Sequence, residues 1–256
     1  MATVIVDSER IRAKRILEIL KQNVSVHDED FATLVVARET SDPFRVLVVT
    51  IFSQSCTDIA ALRAYRTLDR QVGVTPQSLS RTKTQDIAKA IRVAGLYKQK
   101  SRALKKLAQI SLKHHSRTLD GILRYPVDQA RFLLQELPNV GPKTADVLLS
   151  VWGRSTISVD TQVNRVSKRL GLAPQKAKYE EVRTALMHLY KPEDYHSIPL
   201  LFMAHGRKTC RSPRPRCSSC PVERLCPFIQ KNLEHMSQRV AHASPRHVNQ
   251  SIKRNS

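Results

Sequence analysis

The stretch LLQELPNVGPKTADVLLSV, residues 133–151, decides how this chain is read. Leu133, Leu134 and Leu137 fit the end of one amphipathic helix, and Val147, Leu148 and Val151 fit the face of another. Between them, Pro138 cannot continue the first helix, because its ring removes an amide donor and crowds the preceding turn. Asn139 and Gly141 tolerate positive φ, and Pro142 suits the first position of the next helix. The segment therefore predicts two helices joined by a tight turn. The first amides of the second helix lack intrahelical acceptors and lie at the positive end of its dipole. Aimed outward they make a seat for a phosphate. An ordinary helical packing unit would show the same pattern.

Lys143 falls in the first turn of that second helix. The helix dipole and neighbouring basic groups both favour a neutral amine, the form that attacks carbon. A surface lysine that binds phosphate is the competing reading. Downstream, STISVDTQVNRVSKRLGL (155–172) opens a helix with apolar positions Val163, Val166 and Leu170. Asp160 precedes it, where a carboxylate caps the first amides. A cap also fixes a carboxylate in space, so the structural role does not exclude a chemical one.

The chain of 256 residues holds 43 Lys and Arg against 22 Asp and Glu, a formal charge of +21. Such an excess points to a polyanionic partner, nucleic acid first and an anionic membrane surface second. No run approaches the roughly 18 apolar residues of a membrane span. The opening MATVIVDSERIRAKRILEIL lacks the apolar core and cleavage site of a secretory signal. The expected compartment is intracellular and reducing, where clustered cysteines read as a metal site. Cys210, Cys217, Cys220 and Cys226 are so clustered. Four thiolates suit either tetrahedral zinc or a [4Fe–4S] cluster. Arg211, Arg214 and Arg216, framed by Pro213 and Pro215, would form a rigid cationic prong beside that metal. Cys56, far from the others, reads as a buried small hydrophobe.

Glycine is scarce, at seven residues, and strand-like alternation is rare, so the expected class is all-α. Helices are predicted at about 76–80, 84–93, 98–114, 116–124, 127–137, 142–152, 161–170, 178–190 and 194–206. A basic first helix would carry Ile11, Ile16, Ile19 and Leu20 on one face, behind a cap at Asp7 or Ser8. FRVLVVTIF (44–52), behind Asp42 and Pro43, reads as a buried helix running on toward Leu68. No internal repeat is present. After about Gln230 the tail is polar and basic and is expected to be disordered.

The pattern L-P-x-V-G-x-K-T-A, from Leu137 to Ala145, closely resembles the helix-hairpin-helix of the endonuclease III superfamily of DNA glycosylases. V-D-T-x-x-x-R-V, from Val159 to Val166, is similar to the segment that follows the hairpin there, with Gln162 where the family often has His. The cysteine spacing C-x6-C-x2-C-x5-C matches that family's iron–sulfur loop. FSQSCTD (52–58) resembles the segment that fills the gap left by a flipped base, with Gln54 or Ser55 as the filling residue. GLYKQK (95–100) resembles the loop bearing a wedge, here Leu96. The likeness runs from about residue 10 to 230.

That resemblance implies a two-lobed, all-α helix-hairpin-helix glycosylase fold. A six-helix barrel domain would span 26–155, an iron–sulfur cluster domain would combine 1–25 with 156–230, and 231–256 would be a basic tail. It implies Lys143 as nucleophile, Asp160 as essential carboxylate, and a [4Fe–4S] cluster on Cys210, Cys217, Cys220 and Cys226. The implied DNA contacts are Gln54, Ser55, Leu96, Asn139, Val140, Gly141, Lys143, Thr144, Gln162, Arg211, Arg214 and Arg216. The implied activity is that of a bifunctional DNA glycosylase/AP lyase of base excision repair. It would remove oxidised pyrimidines and nick 3′ to the abasic site by β-elimination through a lysine Schiff base. The implied partner is double-stranded DNA containing damaged bases or abasic sites, bound by a monomer with no membrane involved. The protein would be DNA-associated in the cytoplasm and nucleoid, or in a nucleus. A monofunctional mismatch-specific glycosylase and a noncatalytic lesion-binding protein are the alternatives. The adenine-mismatch enzymes carry a catalytic Glu where VVTIFSQ has Thr50.

Overall fold

In the computed structural model the described residues are 2–113 and 119–228. Among them the chain forms α-helices and short 3-10 turns, with no strand. The helices are α1 (Ala2–Asn23), α2 (Ala32–Glu39), α3 (Pro43–Ser53), α4 (Asp58–Gln71), α5 (Pro76–Arg81), α6 (Thr84–Ala90) and α7 (Tyr97–Lys113). They continue as α8 (Leu119–Arg124), α9 (Val127–Gln135), α10 (Pro142–Val151), α11 (Thr161–Arg169), α12 (Tyr179–Leu189) and α13 (Ser197–Lys208). The all-α expectation holds. The tail expected over 231–256 lies outside the described residues.

Three local expectations are corrected. The apolar run does not continue as one helix to Leu68. It stops at Ser53, and Thr57 caps α4 by accepting the Ala60 amide. Ser55 between them takes φ 50°, a left-handed conformation that a continuous helix cannot contain. α1 begins at Ala2, so neither Asp7 nor Ser8 caps it. Its buried stripe is Ala13, Ile16, Leu17 and Leu20, while Ile11 is 68% exposed. The short α2 went unanticipated. Its N-cap is Phe31, which offers no side-chain acceptor, so the usual start signal is missing.

Buried apolar side chains fall into two clusters. One gathers residues from α2 through α10 and is centred on α3, where Val46, Leu47, Val48, Val49, Ile51 and Phe52 are all inaccessible. A helix apolar on every side must lie inside. The other cluster joins α1 to α11, α12, α13 and Val222. Arg12 ties α1 to the end of α11 and to the last turn, donating to the carbonyls of Leu170 at 2.7 Å, Gly171 at 3.0 Å and Leu225 at 3.1 Å.

A buried carboxylate links the two clusters. Asp146 on α10 has no accessible surface. Its Oδ1 accepts from Arg131 Nε at 2.8 Å and from Thr156 Oγ1 at 2.6 Å. Its Oδ2 accepts from Arg131 Nη2 at 3.0 Å and from the Tyr179 hydroxyl at 2.8 Å. Arg131 also donates to Glu180 on α12 at 2.6 Å, and Arg183 donates to Thr156 at 3.2 Å. Burial, reinforced by the Asp146 charge, raises the Tyr179 phenol well above its ordinary pKa and keeps it a donor. Removing one partner from a buried ion pair leaves the other charge uncompensated. Asp146→Ala should therefore destabilise the fold by about 3–5 kcal/mol, read as a lowered urea midpoint.

Candidate active site

α9 ends at Gln135, and the chain turns through Leu137 and Val140, whose amides bond the carbonyls of Leu134 and Leu137. Asn139 alone in this turn takes positive φ, at 63°. Gly141 is extended, with φ −92° and ψ −179°, so it is not there for a left-handed bend. A Cβ at Gly141 would meet nothing within 4 Å, so the space in front of this backbone is open. Pro142 starts α10, and no side chain caps that end of the helix. Its first amides have no side-chain acceptor.

The hairpin is fastened to the loop after α3. Gln54 Nε2 donates to the Asn139 carbonyl at 2.9 Å and to Thr144 Oγ1 at 3.0 Å, and Asn139 Nδ2 returns a bond to Gln54 Oε1 at 3.3 Å. The two candidate gap-filling residues differ in their surroundings. Gln54 is tied to the hairpin, while Ser55 is exposed. Leu96 is 56% exposed with φ 46°, and a Cβ on adjacent Gly95 would lie 3.8 Å from the Ser55 carbonyl oxygen. Beneath both loops lies Lys100, only 1% exposed, whose Nζ donates to the carbonyls of Phe52 at 2.9 Å, Gln54 at 2.7 Å and Ala94 at 2.8 Å. Burial lowers its pKa. In the sequence Lys100 looks like one more surface cation near a helix start.

A cavity of about 480 Å³ opens between the two clusters. Lys143 and Asp160 both line it, with Gln54, Ser55 and Gln162. Lys143 is exposed and Asp160 half-buried. Asp160 is indeed the N-cap of α11, its Oδ1 accepting the Val163 amide at 2.7 Å. Asp58 also lines the cavity, but its two oxygens are held by the Ala32 amide at 3.1 Å and by Arg207 at 2.9 Å. Thr50 offers no acid; its hydroxyl donates to the Val46 carbonyl at 2.7 Å. Asn139, Val140, Gly141, Thr144, Leu96, Arg211, Arg214 and Arg216 do not line this cavity. Val147 and Val151 do, so part of the face read as core is pocket wall. Cys56 is half-buried there rather than a core residue. Ser150, His196 and Arg207 line it without having been anticipated.

Cys210, Cys217, Cys220 and Cys226 form no disulfide and line one small separate cavity with Arg169 and His205. Among the described residues no three His, Cys, Asp or Glu side chains gather into a ready site for a metal ion. Burial pushes the Cys220 thiol up to about 11 and raises Cys217, the neighbouring thiols adding to both. Such a set accommodates several thiolates only around added positive charge. Arg169 Nη1 reaches Cys210 Sγ at 3.5 Å, and its guanidinium lies 4.7 Å from the Phe228 ring centre. Arg211, Arg214 and Arg216 are exposed, as their proposed prong requires.

The model of the HhH-GPD superfamily of base excision DNA repair proteins matches residues 48–192, more than half of the chain, from within α3 through α12. This chain belongs to that family. Its HhH-GPD relatives include endonuclease III of Sulfolobus acidocaldarius, 31% identical over 218 residues that cover 84% of this chain and 96% of that protein. Endonuclease III of Bacillus subtilis is 33% identical over 192 residues, 75% of this chain and 84% of its own length. A trapped endonuclease III–DNA covalent intermediate, in an estranged-adenine complex, has a TM-score of 0.74 at 30% identity, over 88% of this chain and 98% of that one. No helix among the described residues is long and apolar enough to cross a membrane. In this HhH-GPD protein, Lys100→Met should strand three carbonyls and cost at least about 2 kcal/mol. Urea unfolding with the wild type alongside measures the loss.

Proposed function

We propose that this chain is a bifunctional DNA glycosylase and AP lyase that acts on oxidised pyrimidines and abasic sites in duplex DNA, with Lys143 as nucleophile and Asp160 as its carboxylate partner. The observation that carries this is the meeting of those two side chains, one from α10 and one from the start of α11, at a single cavity between the clusters. We take residues 26–155 and residues 1–25 with 156–230 as two lobes. The two separate apolar clusters support that division.

A base buried in a duplex must be extruded before its glycosidic bond can be attacked. The cavity accepts the nucleotide, and the exposed amine of Lys143 stands at it. Asp160 takes the amine's proton or stabilises the positive sugar as the bond loosens, with an oxygen left over from its capping bond. The amine attacks C1′, and the base departs with the glycosidic electron pair and gains a proton. Ring opening gives a Schiff base, whose positive nitrogen acidifies the C2′ proton. Loss of that proton expels the 3′ phosphate, and water then releases the lysine.

The outward amides of the Asn139–Thr144 turn hold a backbone phosphate. Ser55 and Leu96, on neighbouring loops above Lys100, enter the stack where the base has left. Gln162 borders the cavity in place of an imidazole. Arg211, Arg214 and Arg216 add backbone contacts. The four thiols fit a [4Fe–4S] cluster, since they line one cavity and their mutual repulsion calls for a positive centre. That group supplies a structural anchor for the loop, and no step of the chemistry passes through it.

Treatment with borohydride during turnover should trap a covalent protein–DNA adduct in the wild type and none in Lys143→Ala. An undiminished adduct in the variant defeats the assignment. The purified protein should absorb near 400 nm and contain iron and sulfide. A colourless, zinc-loaded protein removes the cluster from the account. Plotted as log affinity against log salt, binding to duplex DNA should fall by about 0.9 per phosphate contacted; a flat line refutes the backbone grip.

A further inference from the structure

We propose that Ser150 and His196 read the extruded base, and that they select a base presenting a carbonyl oxygen. This deepens the glycosylase reading and rests on it. α10 runs from the mouth of the cavity to its floor: Lys143 is exposed, whereas Ser150 is 8% exposed. Lys143, Val147, Ser150 and Val151 all line the cavity, the spacing that one face of a helix gives. Ser150 stands about 10 Å beyond Lys143 along the axis. A nucleotide with its sugar at the lysine carries its base inward, toward the serine.

Beside Ser150 the cavity carries an oriented polar pair. His196, the residue before α13, holds Nδ1 at 3.1 Å from Ser150 Oγ. Among the described residues this is the one hydrogen bond shown for either side chain. Around it the walls are apolar, from Leu34, Val147, Pro199 and Leu200. Apolar walls beside an oriented polar pair are how a pocket fixes one edge of a flat ligand.

The pair also has a sense. A serine hydroxyl that is largely buried donates to Nδ1 of a neutral imidazole, which puts the remaining proton on Nε2. A protonated imidazole donates from Nδ1 to Oγ and still carries a proton on Nε2. The other neutral tautomer, with its proton on Nδ1, would make Nε2 an acceptor and leave the buried Ser150 hydroxyl with no acceptor shown among the described residues, so the pair favours Nε2–H as a donor facing the cavity that His196 lines. It suits a carbonyl oxygen and opposes an amino group. A 5,6-saturated thymine or uracil keeps its ring carbonyls and meets that demand.

The test compares two substrates in the full-length protein. One is a duplex with 5,6-dihydrothymine, scored for base release in single turnover. The other is a duplex with a preformed abasic site, scored for strand nicking, which has no base to read. His196→Leu should lower base release about tenfold or more, the loss of one oriented hydrogen bond to the base. Ser150→Ala should lower it less, and His196→Gln, which keeps an N–H donor, should recover part of the rate. Nicking of the abasic duplex should stay within about twofold of wild type in all three, which also shows that they fold. Unchanged release of dihydrothymine overturns the assignment, and so does an equal loss on both substrates. A wild type that nicks abasic DNA but releases no damaged base sinks the glycosylase reading itself, and this inference with it.

Discussion

The active site depends on one buried carboxylate. Asp146 lies on the same helix as Lys143, yet its bonds reach Thr156 and Tyr179 in the opposite cluster. Asp160 follows Thr156 closely in the chain, so the tie at Asp146 anchors the segment that carries it to the helix that carries Lys143. A cleft between two apolar cores would otherwise open on a hinge. Here the bonds of Asp146 to Thr156 and Tyr179, with Arg183 Nε 3.5 Å from its Oδ1, resist that motion, because opening would leave a buried carboxylate short of partners. Arg207 makes a lighter tie at the other rim, from α13 to Asp58, over the ring of Phe31.

The charge of the chain divides into two populations with different work. Part of the positive charge is not a surface field. Lys100 holds three carbonyls, Arg12 another three, and Arg131 and Arg183 surround Asp146. These cations replace backbone donors at helix ends and loop turns, where few side chains reach so far. What remains outside, including Lys143 and the arginines between Cys210 and Cys217, is available to a polyanion.

What could be read from the sequence was whatever is local. The hairpin is written in Pro138, Asn139, Gly141 and Pro142, because turn chemistry acts over four residues. The cap at Asp160 and the thiol spacing are equally short-ranged. Lys143 and Asp160 could be paired only by resemblance, since nothing in their separate helices says that they face each other. α2 escaped because Phe31 gives no capping signal. His196, Lys100 and Asp146 escaped for a stronger reason: each acquires meaning from residues distant in the chain. Ser150 was partly accessible, for a wheel drawn from Lys143 passes through Val147 to it. Reading that face as core hid the wall of the pocket.

The second cluster joins segments far apart in the chain, α1 early and Val222 some two hundred residues later. Everything from α2 to α10 is synthesised between them. On the ribosome, the apolar stripe of α1 therefore has no permanent partner until α11, α12 and α13 emerge, while the intervening core can already consolidate. Nascent chains arrested before that point would display this stripe to chaperones, and the cavity shared by the two clusters would close only after the second had assembled.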